Sequence, residues 1–121
     1  YSGHPIACAA GLAAQEIYQR ENLFARAKEL SEPFLDRVWS LADHPLVYDI
    51  RGFGLMAGVE VIQQDQSPGK RGTSLQKRMF ENGLHVKFTG DSAILAPPLI
   101  SKEAHLDEII DKFRKTLNEM T

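Results

Sequence analysis

Apolar residues recur at helical spacing near both ends of the chain, while much of its middle alternates as strands do. From Pro5 to Arg20 the chain is apolar on nearly every side: Ala7, Ala9, Ala10, Gly11, Ala13 and Ala14 leave almost no polar face before Gln15. A proline near the start of a helix is tolerated, because its missing N–H would have no partner there. A helix with small apolar side chains all round is normally approached by other backbones on several sides. The 121 residues hold little material to enclose it, so another domain or a partner subunit is expected around it. Asn22 is placed to cap a second helix, Leu23 to Ala42, with a stripe of Ala27, Leu30, Phe34, Val38 and Leu41 and with Trp39 at its edge. Pro33 lies inside that run and is expected to kink or divide it, since it removes a backbone hydrogen bond and crowds the preceding turn.

His44-Pro45 ends the helical pattern, and Leu46–Ile50 and Leu55–Ile62 read as strands. In the second, Leu55, Ala57, Val59 and Val61 alternate with Met56, Gly58, Glu60 and Ile62. The polar stretch Gln63 to Gly72, with Pro68-Gly69, predicts a mobile loop. A short helix from Thr73 to Glu81 stops at Asn82-Gly83, and strands follow at Leu84–Phe88 and Ala93–Ala96. After Pro97-Pro98, Ser101 is the expected N-cap of a last helix that buries Leu106, Ile109, Ile110, Phe113 and Leu117. This order predicts an α+β domain with a small, mostly antiparallel sheet covered by helices.

Composition adds little to that picture. Apolar residues at 43% and charged residues at 25% suit one folded domain, or a domain plus part of a neighbour. A net charge of -2 gives no reason to expect a nucleic-acid or anionic-membrane partner. No apolar stretch is long enough to cross a bilayer. The single cysteine, Cys8, cannot form an internal disulfide and reads as a small core residue; a cytoplasmic location is expected.

Three features carry possible chemistry. Gly52-Phe53-Gly54-Leu55-Met56-Ala57 spells a dinucleotide-binding fingerprint, but strand formers follow where that fingerprint requires a helix. The glycines are therefore expected to let the chain turn tightly between two strands. The four histidines are scattered without metal-ligand spacing; His44 and His105 read as loop and helix-surface residues, and His85 could face either way. Lys87 is a cation in a short apolar strand, before a Gly90-Asp91 turn and a double proline. Lysine is rarely buried without a partner, so Lys87 points to solvent or to an anion, and pattern alone favours solvent.

Tyr1-Ser2-Gly3-His4-Pro5 with Ala7-Cys8-Ala9-Ala10, Arg51-Gly52-Phe53-Gly54-Leu55, Thr89-Gly90-Asp91 and Ala96-Pro97-Pro98-Leu99-Ile100 occur in that order along the chain. Together they resemble the class III aminotransferases, and most closely the omega-amino-acid:pyruvate (β-alanine:pyruvate) branch. The resemblance implies the C-terminal small domain of a fold-type I transferase that uses pyridoxal phosphate (PLP). Residues 1–21 would form a buried helix linking to a large domain, and residues 22–121 the small domain. It also implies a homodimer or a dimer of dimers, with active sites between subunits, and an amino donor and a keto acid as substrates.

In this family the lysine that binds PLP covalently lies upstream of the Tyr-Ser-Gly-His-Pro motif. No lysine of this sequence stands at its position, so the chain alone is expected to be inactive. Tyr1 and Ser2 would lie near the cofactor phosphate of the neighbouring subunit, where a helix N-terminus favours an anion. The family's arginine two residues before the Thr/Gly-Gly-Asp turn, here Thr89-Gly90-Asp91, binds the substrate carboxylate through two parallel bonds. Here Lys87 stands in its place, which keeps the charge and loses the planar fork. The resemblance thus turns Lys87 toward an anion. A racemase, aminomutase or decarboxylase of the same fold, or a free-standing binding or regulatory module, would share these features.

Overall fold

The computed structural model describes residues 2–121, and Tyr1 lies outside the described residues. Helix α1 (Pro5–Arg20) leads into α2 (Leu23–Trp39) and a short 3-10 turn at Ser40–Asp43. Strands β1 (Val47–Phe53) and β2 (Met56–Val61) precede α3 (Lys70–Glu81), β3 (Lys87–Thr89), β4 (Ser92–Leu95) and α4 (Glu103–Glu119). The four strands form one antiparallel sheet in the order β1-β2-β4-β3, so the edge strand β3 is joined to the sheet through β4 alone.

One face of the sheet is covered. Ile50, Ala57, Val59, Val61, Ala93 and Leu95 point into a core completed by Phe34 and Val38 of α2, Leu75 and Met79 of α3, and Leu106, Phe113 and Leu117 of α4. The alternation read along β2 is therefore real: Ala57, Val59 and Val61 are buried, while Met56, Gly58 and Glu60 face outward.

The β1–β2 connection is a two-residue turn closed by the Phe53–Met56 pair, with Gly54 at φ +60°. Positive φ at the first central position is the conformation glycine supplies in a hairpin turn of this kind. A strand rather than a helix follows, so the fingerprint reading fails here on geometry. Gly52 serves packing instead. A Cβ there would lie 2.6 Å from Leu35 Cδ2, so the missing side chain lets α2 close on the sheet.

Several expectations need correction. Cys8, read as a small core residue, is exposed in this chain, on a helix α1 that has no buried residue here. The reason is the shortage of enclosing material: α1 packs on α2, with Tyr18 and Phe24 edge to face at 5.3 Å, and its alanines meet little else. Pro33 neither divides nor ends α2, which runs unbroken through it. The carbonyl that loses its donor is that of Glu29, an exposed residue where solvent can replace the bond. Asn22 stands at the N-cap of α2 in the left-handed region (φ +50°) and makes no side-chain cap. Ser101 is buried one residue before the true N-cap, Lys102, whose N–H donates to His105 Nδ1 at 3.1 Å. His44 is in a loop as expected but is buried; its Nδ1 accepts the Leu46 N–H (3.1 Å), so its Nε2 donates to Asn118 Oδ1 (3.1 Å). His85 is exposed, with its ring against Phe80.

Helix α3 starts at Lys70, three residues before the position its apolar pattern suggests. It starts there because a residue far along the chain binds its first turn. Asp91 is buried, and its carboxylate accepts the Gly69 N–H at 2.7 Å and the Gly72 N–H at 2.9 Å. The β3–β4 turn lies so close to α3 that a Cβ on Gly72 would stand 2.0 Å from the Gly90 carbonyl oxygen. Gly72→Ala must push these backbones apart. We expect it to destabilise the chain by about 1–3 kcal/mol, the usual range for overpacking a well-filled site; a urea unfolding midpoint unchanged from the parent would contradict the contact.

Candidate functional site

The uncovered face of the sheet carries the polar side chains. Register places Arg51 opposite Gly58, Gly58 opposite Ile94 and Ile94 opposite Lys87, one row across all four strands. The next row is Asp49, Glu60, Ser92 and Thr89, and Phe53 and Met56 flank the first row on its other side. Phe53 is 91% and Met56 60% exposed, unusual values for large apolar residues. Arg51, Phe53, Met56, Thr89, Ser92 and Ile94 line a concavity of about 690 Å³. Lys87 borders a second one of about 350 Å³, with Pro97 and Pro98, and the two meet at Ile94.

The two cations of this face differ in their partners. Arg51 Nη1 donates to Asp49 Oδ2 at 3.0 Å and to Glu60 Oε2 at 3.1 Å, and Nη2 donates to Ser92 Oγ at 3.3 Å. The hydrogen bond to Glu60, then that to Asp49, holds the guanidinium pKa above its ordinary value, so its charge is secure at any working pH. Gly58 makes this reach possible: its Cα offers no side chain, and the Arg51 stem lies flat above it, Cγ and Nε 3.6 Å from where a Cβ would be. Lys87 is exposed, and its side chain has no hydrogen bond or ion pair among the described residues. Of the expected site residues, Ser2 is exposed just before α1, and Lys87 is on the edge strand of the sheet. Nothing among the described residues brings the two together, and Tyr1 lies outside them.

The N-terminus of α1 has room for an anion. His4 at the N-cap makes no side-chain cap, Pro5 opens the helix, and no acidic residue lies in the first turn.

Sequence reading misses Arg51 as a site residue, together with Asp49, Glu60 and Gly58. The strand alternation and the two-residue hairpin would have placed Arg51 over Gly58. The approach of Ser92 depends on β2 pairing with β4, which no local pattern reveals.

This arrangement has known relatives. The family model for aminotransferase class-III matches residues 1–117. An omega-aminotransferase of Caulobacter vibrioides is 41% identical over 120 residues, covering 99% of this chain and 27% of that protein. A beta-alanine–pyruvate aminotransferase of Pseudomonas aeruginosa is 34% identical over 118 residues, covering 98% and 26%. A solved omega transaminase 6-fold mutant from Pseudomonas jessenii superposes with a TM-score of 0.91 at 32% identity, over 98% of this chain and 28% of that one. The omega transaminase of the same organism solved with PMP superposes at 0.88 and 32% identity, over 97% and 27%. The chain belongs to the class III aminotransferases, and its α+β fold is the one these solved transaminases share with it. It spans about 27% of the length of the curated relatives it matches.

Asp91, in the turn that follows Lys87 and Thr89, is what ties this site to the covered face. Its charged bonds to two backbone N–H groups are each worth about 1.5–3 kcal/mol. Asp91→Asn keeps one acceptor and sets an amide NH2 against the other N–H. Hydrogen exchange at the Gly69 and Gly72 amides should accelerate by about tenfold or more as that helix start opens locally; unchanged protection would show that the carboxylate does not hold it.

Proposed function

We propose that this chain is the C-terminal part of a PLP-dependent transaminase that moves an amino group from an amino acid or amine to a keto acid such as pyruvate. The observation that carries the reading is Lys87: an exposed cation without a partner among the described residues, two positions before Thr89, on the one sheet face that no helix covers. In that setting its role is to hold the substrate carboxylate. A lysine does so as a mobile point charge, orienting the carboxylate less firmly than a planar fork would.

PLP fits the described residues at one end. The uncapped first turn of α1, without acidic neighbours, suits a phosphate, with Ser2 alongside it and Tyr1 next in the chain. When bound, the cofactor supplies the electron sink for amino-group transfer. The lysine that holds it would come from another part of the protein, so the chain by itself would be inactive. The uncovered α1 supports a division into a linking helix, residues 1–21, and a small domain, residues 22–121. The exposed apolar residues Ile6 and Leu12 on that helix suit enclosure by a large domain or a second subunit, in a homodimer or dimer of dimers. No helix among the described residues is long and apolar enough to cross a membrane.

The test uses a full-length protein containing this chain, loaded with PLP. The absorbance band of the bound cofactor should bleach on adding an amino donor and return on adding pyruvate. Bleaching without keto-acid-dependent return would favour a racemase or decarboxylase instead. Lys87→Ala should raise the KM for pyruvate by about 10–100-fold, the loss of one charged hydrogen bond, while Lys87→Arg restores it; unchanged kinetics in Lys87→Ala would remove the carboxylate role.

A further inference from the structure

Arg51 is engaged on one side only. A guanidinium has five N–H donors. Asp49 and Glu60 both bind Nη1, and Ser92 takes one bond from Nη2. Nε and the second Nη2 hydrogen have no partner among the described residues. Nε and Nη2 lie along one edge of a guanidinium, the edge whose parallel N–H groups match the two oxygens of a carboxylate.

The position of that edge matters as much as its chemistry. Arg51 starts on β1, yet Gly58 lets it lie across β2, and its contact with Ser92 places the guanidinium at β4. Strand β3 is the next strand over, about 5 Å away. Lys87 belongs to the same cross-strand row as Arg51, and Ser92 is two residues along β4 from Ile94, the partner of Lys87. The concavity beside the guanidinium has the hydroxyls of Thr89 and Ser92 on one side and apolar Phe53, Met56 and Ile94 on the other. Asp49 and Glu60 would repel an anion, but both stand at the far nitrogen and are already held by it.

We propose that Arg51 and Lys87 form one two-cation site for the carboxylate of a small keto acid or amino acid, Arg51 supplying the planar fork that Lys87 lacks. The site rests on the transaminase reading above and extends it: the orienting role is moved across the sheet to another strand. The apolar side of the concavity would take the remainder of the substrate.

The experiment compares two acceptors in the PLP-loaded full-length enzyme: pyruvate, and propanal, which has no carboxylate. Arg51→Met should raise the KM for pyruvate about tenfold more than that for propanal, the loss of one charge-assisted contact. Arg51→Lys, which keeps the charge beside Asp49 and Glu60, should show the same preference at smaller size, and it remains readable if Arg51→Met does not fold. Equal effects on the two acceptors, or none, would overturn the site and leave Arg51 as a link between strands. Lys87→Ala separates the two readings. If it weakens pyruvate while the Arg51 variants do not, the Lys87 role stands and this inference fails. If the Arg51 variants weaken pyruvate while Lys87→Ala does not, the shared site is also overturned, and with it the Lys87 role.

Discussion

Asp91 joins three parts of the chain that are distant in sequence. Its carboxylate binds the first turn of α3 through Gly69 and Gly72, and its carbonyl accepts the Val61 N–H at the end of β2. A helix N-terminus carries unsatisfied N–H groups and a partial positive charge, so a buried carboxylate there is both satisfied and stabilising. Away from such donors the same carboxylate would be costly to bury. The sheet order, the start of α3 and the position of the β3–β4 turn therefore depend on one another. Gly72, with no side chain to hold off the Gly90 carbonyl, makes the approach close enough for those bonds to form, and Lys87 is carried on the strand that this turn ends.

The sheet is accordingly two-sided in function as well as in packing. One face holds the helices; the other holds a row of polar groups whose spacing is set by antiparallel register rather than by loops. Side chains on strands are held more rigidly than side chains on loops, which suits groups that must meet a small ligand at fixed separation. On this face Asp49 and Glu60 fix Arg51 from one end, and Lys87 is left unfixed at the other. An ordered cation and a mobile one thus share a row.

Much of the fold is legible in the sequence because it is local. The periodicities of α1, α2 and α4, the alternation in β2 and the glycine turn at Gly54 all follow from side-chain spacing and backbone freedom. The differences have non-local causes. The start of α3 escapes the apolar pattern because its cap comes from Asp91, about twenty residues downstream. The strand around Lys87 begins later than the apolar run does, since Leu84 and Val86 are buried by helices without joining a ladder. His44 is polar and follows a helix, yet it is enclosed because Asn118, far along the chain, accepts a hydrogen bond from its ring N–H. Of the candidate site, Lys87 is visible through its odd position in an apolar strand. Arg51 is hidden, because its significance lies in which strands stand beside it.

The edge position of β3 gives its lysine a second consequence. An edge strand exposes backbone donors and acceptors to any other chain able to add a strand, and proteins blunt such edges with brief strands and charged side chains. Here the edge is three residues long and its first residue is Lys87. The ammonium that would receive a carboxylate is thus also a guard against sheet extension, and its retention can be selected by solubility as well as by substrate.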